Sequence, residues 1–293
     1  MRVFVTGATG LIGSALVAEL LANHHTIVGL ARSDASAKAL TAAGAEPLRG
    51  NLGDLDILRA GAADADGVIH LAFANDFSSP KALGDAIAEE SAALKAIGET
   101  LLGSDRPLVV VSGTPPVPGR PSTESDPLPT EGPVAGRGRT VTAVLDLASH
   151  GVRSSAVRLP RTVHNHGTGG FAGVLTNIAR RSGVSGYPGD GNQRWPAVHA
   201  LDAAALFRLA LEQAEPGTSW HAVADEGDAV RDIAAVIGRR LSLPVESVPP
   251  QTYGPLGEIF ATDQPSTSHR TRQALGWEPT HPSLLDDLEN IEP

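Results

Sequence analysis

The sequence predicts an α/β chain built on a doubly wound parallel sheet, with helices on both faces and a smaller C-terminal lobe. Three observations point there. Short apolar, β-rich runs alternate with helical stretches through the first 160 residues. The first run, Arg2–Thr6, begins almost at the N-terminus and ends in a glycine-rich turn. Beyond Pro160 the alternation becomes irregular. Strand–helix–strand repetition of this kind makes parallel neighbours, because each crossover needs a helix to return the chain to the same sheet edge.

Taken in order, Arg2–Thr6 reads as a buried strand and Leu11–Ala22 as the helix after it. Thr26–Ala31 and Ala35–Ala43 form the next strand–helix pair, then Glu46–Arg49 with Leu55–Ala60. Gly67–Ala72 makes a fourth strand. A long helix spans Lys81–Leu102, where Leu83, Ile87, Leu94, Ile97 and Leu101 recur at helical spacing. Pro107–Ser112, Arg139–Ser149 and Val152–Arg158 complete the series. Residues Gly113–Gly138 carry Pro115, Pro116, Pro118, Pro121, Pro127, Pro129 and Pro133, a density that forbids regular structure and suggests a lid, a binding loop or a mobile segment. Later helices are expected near Gly173–Arg181, Asp202–Glu212, Ala229–Leu241 and Arg270–Leu275, with His164–Gly170 and Tyr187–Pro196 as loops. Residues 1–160 are expected to form one domain and 161–293 mainly a second lobe, with 196–222 returning to the first.

Composition narrows the class. Apolar residues at 41% and charged residues at 19% suit a soluble globular chain. A net charge of −10 disfavours nucleic acid and anionic membrane as partners, and the absence of cysteine excludes disulfides, thiolate metal sites and a thiol nucleophile. The uncharged stretch Val3–Ala18 is broken by Thr6, Gly7, Thr9, Gly10, Gly13 and Ser14, so it reads as neither signal peptide nor anchor; a cytoplasmic protein is expected, with no metal site.

The turn Thr6-Gly7-Ala8-Thr9-Gly10-Leu11-Ile12-Gly13 follows a strand and opens a helix. One glycine makes the turn, the next lets backbone approach a pyrophosphate, and the last lets helix and strand pack closely, while the helix N-terminus offers free N–H groups to phosphate. This is a Rossmann-type dinucleotide site. Arg32 then stands where NAD-binding units carry an acid, with Ser33 beside it. A guanidinium suits a 2′-phosphate, so NADP(H) is the expected cofactor; the other reading leaves Arg32 on the surface and turns Asp34 inward for NAD.

The Gly-x-x-Gly-x-x-Gly spacing resembles the short-chain dehydrogenase/reductase superfamily, in its extended and atypical, epimerase/dehydratase-like members. Val68–Ala72, Val110–Thr114, Val157–Pro160, Trp195–Asp202 and Leu275–Pro279 each resemble a family segment, and Gly50-Asn51-Leu52 stands where the family usually has Gly-Asp-Leu near the adenine. The resemblance implies cofactor contacts from Gly7, Thr9, Gly10, Leu11, Ile12, Gly13, Arg32, Ser33, Asn51, Leu52, Leu71, Ala72 and Pro160. It also implies a Tyr-x-x-x-Lys pair after the fifth strand, and here the chain departs. Its two tyrosines, Tyr187 and Tyr253, precede Gly191 and Gly257 by four residues, and Lys38, Lys81 and Lys95 all lie upstream of that helix. Arg137 and Val141 stand near the vacated positions.

The remaining candidates for chemistry are Ser112 as a hydrogen-bonding group, Arg137 as an electrostatic clamp and His164 as a general acid, each with a purely local structural role as the competing reading. Phe73, Asn75, Asp76, Tyr187 and Trp195 are substrate-pocket candidates, and the acidic runs Asp85–Glu90 and Asp286–Glu292 read as solvated faces. The expected function is an NADP(H)-dependent oxidoreductase acting on a carbonyl or conjugated small molecule. The alternatives are a non-catalytic NADP(H)-binding sensor or structural module, and a redox-neutral isomerase or cyclase. Ala92, Ala93, Leu102, Val144 and Leu147 extend the apolar surface of two helices that similar proteins pair in a four-helix interface, so a homodimer is expected.

Overall fold

The computed structural model describes residues 1–74, 79–132 and 134–292; Asn75 and Asp76 lie outside them. Five strand–helix units and a sixth strand come first: β1 (Arg2–Thr6), α1 (Leu11–Ala22), β2 (Thr26–Ala31), α2 (Asp34–Ala42), β3 (Glu46–Arg49), α3 (Leu55–Ala63), β4 (Gly67–His70), α4 (Pro80–Leu101), β5 (Pro107–Gly113), α5 (Ala135–Asp146) and β6 (Arg153–Leu159). There follow β7 (Thr162–His164), α6 (Gly170–Ser182), β8 (Ser185–Pro188), β9 (Arg194–His199), α7 (Ala200–Gln213), β10 (Thr218–His221), β11 (Asp225–Ala229), α8 (Val230–Leu241), β12 (Val245–Val248), α9 (Gly257–Ala261), α10 (His269–Leu275) and α11 (Leu284–Leu288).

The central sheet has seven strands in the order β10-β6-β5-β4-β1-β2-β3, and every pairing is parallel. Alternate residues of β1 explain why both faces need helices. Val3 and Val5 join a core with Leu16 and Leu20 of α1 and Phe207 and Leu211 of α7, while Phe4 points the other way, among Leu58, Leu94, Ile97 and Val141. A strand buried on both sides cannot sit at a solvated sheet, and this fold class is the one that covers it. Strand order reverses between β1 and β4, which opens a crevice at their carboxyl ends.

The chain after β6 divides its residues between two places. α7 packs on α1, and β10 adds to the central sheet with Trp220 opposite Val157. The rest builds a three-stranded sheet, β11-β9-β7, a short β12-β8 pair and a separate core around Trp195, Ile233, Ile237, Phe260 and Leu284. Trp277, buried in the first core, donates its indole N–H to the Asp202 carbonyl at 2.9 Å, and the Asp202 carboxylate accepts from the backbone of Thr280 and His281. The Leu275–Pro279 segment is thus the clasp that fastens the C-terminus to α7.

Two expectations need correction. The proline-rich segment after β5 is tied down along its described length rather than free-standing. Arg158 donates to the Asp126 carbonyl at 2.7 Å, Glu124 accepts from the Thr271 N–H and hydroxyl at 2.8 Å, and Ser122 meets Ser266 at 2.8 Å. The fifth helix also begins at Ala135, which places Arg137 in its first turn. On the outer helices, Ala93 and Val144 belong to the protomer's own core and Leu147 packs over Gly98; Ala92 and Leu102 stay exposed. Among the described residues no helix is long and apolar enough to cross a membrane.

Candidate functional site

The crevice at the β1/β4 switch point is a cleft in two contiguous halves of about 410 and 430 Å3, with Gly7, Gly10, Leu71 and Phe73 lining both. The turn between β1 and α1 forms their junction. Gly7 has φ +72°, and a Cβ there would lie 2.8 Å from the Ala72 nitrogen, so a side chain would force β1 and β4 apart. A Cβ on Gly13 would come within 2.1 Å of the Gly7 carbonyl oxygen, which makes this residue necessary for seating α1 on the turn. Gly10 is different: a Cβ would meet nothing closer than 3.5 Å. The protein itself leaves room there, and α1 has neither a side-chain cap nor an acid in its first turn. Free N–H groups beside open space suit a pyrophosphate. Gly10→Ala is therefore expected to fold with an unchanged melting temperature yet bind dinucleotide at least tenfold more weakly, about 1.4 kcal/mol. Native-like affinity in that variant, measured by fluorescence titration, would remove the turn from the binding site.

Behind the turn, Thr6 and His70 join β1 to β4 through a 3.0 Å hydrogen bond, and the Thr6 hydroxyl also accepts from the Ala72 N–H at 3.3 Å. Complete burial, with the Arg137 charge adding to it, pushes the His70 imidazole down to about 3, so it is neutral at working pH. It supports the floor of the cleft and offers no proton.

The first half of the cleft ends at Arg32, exposed after β2. Asp34 does not turn inward; its side chain is 90% exposed and pairs with Arg49 at 3.1 Å. Ser33 is the N-cap of α2, accepting from the Ser36 N–H at 3.1 Å, so Ser36 rather than Ser33 faces the cleft. Thr9, Asn51, Leu52 and Ala72 line this half, and the Asn51 side-chain oxygen already accepts from Gly53 at 2.8 Å. Glu89 from α4 reaches it too, a residue read in the sequence as part of a solvated face.

In the second half, Leu11, Ile12, Gly13 and Pro160 stand with Ser112, Arg137, Arg161 and Phe171. Ser112 is half-buried and makes no side-chain hydrogen bond to the described residues. Arg137 is held by Glu90 in a two-pronged pair, Nε to Oε2 at 2.8 Å and Nη2 to Oε1 at 2.7 Å, with its guanidinium 4.1 Å above the Phe73 ring. Glu90 corrects the solvated-face reading, since it is buried. The signal was present: Leu83, Ile87, Glu90, Leu94, Ile97 and Leu101 share the three-and-four spacing of one helical stripe. Val141, one turn beyond Arg137, is core.

Three candidates stand elsewhere. His164 is fully buried in β7, its Nδ1 2.8 Å from Asp287 and its ring edge-on to His199 at 5.4 Å, and it does not line the cleft. A histidine closed off behind the wall cannot pass a proton into the site. Trp195 is fully buried against Phe260, with ring centroids 5.1 Å apart, and Tyr187 packs around the same third core. Phe73 does line the cleft, whereas Arg161 and Phe171, which also line it, carried no motif that pointed to them.

Residues 3–223 match the model of the NAD dependent epimerase/dehydratase family. The chain belongs to that family. An uncharacterised protein of Schizosaccharomyces pombe is 46% identical, over 98% of both chains. A 3-diazoavenalumate denitrifying reductase of a Streptomyces species is 28% identical, over 98% of this chain and 99% of that one. Among solved structures, a dTDP-glucose 4,6-dehydratase of Streptomyces venezuelae, solved with NAD bound, superposes with a TM-score of 0.78 at 18% identity, covering 99% of this chain and 95% of that one. This family member thus has the nicotinamide-cofactor fold without the tyrosine and lysine sought after its fifth strand, since α5 contains neither.

Proposed function

We propose that the protein is a cytoplasmic NADP(H)-dependent reductase of a small carbonyl or conjugated compound. The observation that carries this reading is one continuous cleft. It runs from a guanidinium without a carboxylate partner among the described residues, Arg32, past the open Gly10, to Ser112 and Arg137. The cofactor, when bound, supplies the hydride. Ser112 is placed to hydrogen-bond a substrate oxygen, and Arg137 to stabilise negative charge as it develops there. Neither is a strong acid, which favours acceptors whose reduced anion is delocalised and takes its proton from water. The reductase name of the Streptomyces relative is consistent with this direction.

The test is NADPH oxidation with a panel of aldehydes, ketones and enones. Turnover confined to one class supports the reading. Tight NADPH binding with no turnover would favour a sensor or structural module instead, and conversion of a substrate without net cofactor oxidation would favour a redox-neutral enzyme. For cofactor choice, Arg32→Ala is expected to weaken NADPH binding by about 1.5–3 kcal/mol, the scale of a hydrogen bond to a charged group, while NADH affinity hardly changes. Equal losses for both dinucleotides would remove Arg32 from the 2′-phosphate site. We further propose a homodimer through the outer face of α4, where Ala92 and Leu102 are exposed; a monomeric mass by light scattering at micromolar concentration would count against it.

A further inference from the structure

The second half of the cleft has an unbalanced charge. Among the described residues its lining contains two arginines and no acid. Arg137 is neutralised by Glu90 from behind. Arg161 has no such partner: its side chain makes no hydrogen bond or ion pair with any described residue, and its buried Nε is unsatisfied. Other inward-turned arginines meet backbone carbonyls, as Arg106 does at Ala62 and Ala65 and Arg158 at Asp126. The Phe171 ring lies 5.5 Å from the Arg161 guanidinium, and the Phe171 N–H donates to the Arg161 carbonyl at 3.4 Å and fixes its backbone. Burial alone lowers this guanidinium to about 10, a large departure for an arginine. A half-buried guanidinium that lines a cleft without a partner among the described residues is a candidate anchor for a ligand.

We propose that Arg161 anchors a carboxylate on the substrate, so that the compound reduced here is a small organic acid with an apolar or aromatic body. This rests on the reading that the substrate lies beside the nicotinamide end of the cleft. A planar guanidinium matches a carboxylate through two parallel hydrogen bonds. The walls around it, Leu11, Ile12, Leu159, Val163 and Phe171, are apolar, so the rest of the molecule is hydrocarbon-like. The cofactor's own phosphates are the competing anion. The turn that serves them, at Gly7 and Gly10, lines both halves of the cleft, whereas Arg161 lines only the half containing Ser112. Arg161 is thus a specificity-determining residue, distinct from the phosphate-binding turn.

The experiment is calorimetric titration of the NADP+-saturated protein with benzoate, cinnamate and 4-oxo-4-phenylbutanoate, each beside its methyl ester. At least one acid is expected to bind tenfold or more tightly than its ester. Arg161→Met should abolish that preference while leaving ester binding and NADPH affinity within about twofold, and Arg161→Lys should restore part of it. Thermal denaturation separates a ligand anchor from a structural residue: Arg161→Met should melt no lower than the native protein, because it removes an uncompensated charge. No acid preferred over its ester, a preference that survives Arg161→Met, or a loss of NADPH affinity in that variant would each overturn the proposal. Acid preference without NADPH oxidation by any compound would leave the anchor standing and defeat the reductase reading, so the two fail separately.

Discussion

Lowering the pH from 7 to 5 is expected to cost the protein roughly 3 kcal/mol of stability, a large share of the 5–15 kcal/mol typical of a folded domain. Two interior histidines lose roughly 4 kcal/mol between them, and Asp228, which burial pushes up to about 6 so that the folded chain takes up its proton first, returns about 1 kcal/mol. His70 is held down to about 3 by burial and by the Arg137 charge. His221 is held down to about 4, mainly by burial, although Glu124 pulls the other way. In the unfolded chain each would titrate near pH 6.5. A depressed folded-state value means the unfolded chain takes up the proton first. The stabilisation is therefore complete above pH 6.5 and is lost as the pH falls towards 4 and 3. Each histidine contributes roughly 2 kcal/mol of that loss by pH 5. Urea denaturation at both pH values reads it directly. His70→Asn, which retains a polar partner for Thr6, should reduce the loss between pH 7 and 5 by about 2 kcal/mol. A native protein equally stable at pH 7 and 5 would mean that these imidazoles are not buried neutral.

Removing Arg137 is expected to destabilise by about 3 kcal/mol, because Glu90, only 3% exposed, would be left ionised and unpaired in the core. The lower end of the range for a broken buried pair applies, since the Arg137 side chain keeps 24% exposure. The double variant Arg137→Met/Glu90→Met should recover most of that loss, as replacement of both partners by apolar groups of similar size often does. A double-mutant cycle by chemical denaturation isolates the coupling, and additive losses would show that the two side chains do not depend on each other. The double variant also separates folding from activity. It should be folded and cofactor-competent yet impaired in turnover, because the cation beside Ser112 is gone.

Much of the architecture was legible in residue order. The short continuous runs of β1, β5 and β6, buried on both faces, and the glycine turn after β1 point to a parallel sheet with a Rossmann-type turn, because strand burial and turn geometry are local properties. Arg32 at the end of β2 and Ser112 at the end of β5 are placed by the same logic: in this fold strand ends meet at one edge. The Glu90 error was of another kind. Its position on the apolar stripe of α4 was visible, but its partner was 47 residues away, and without a partner a glutamate reads as solvated.

What the sequence by itself determined is thus one half of the cleft: the glycine turn, the helix start and the cation beyond β2 lie close together in the chain and need no distant contact. What only the tertiary structure decided is the other half. His164 lies two positions beyond Thr162 and four beyond Pro160, so sequence alone leaves it as close to the cleft as Arg161. The pairing of β7 with β9 settles the matter by turning His164 towards Asp287 and His199. Arg161, one residue past the strand-end turn, stays in the opening. Which of two neighbouring polar side chains faces a cavity depends on strand register and on partners distant in the chain, Asp287 being 123 residues away, and neither is encoded locally.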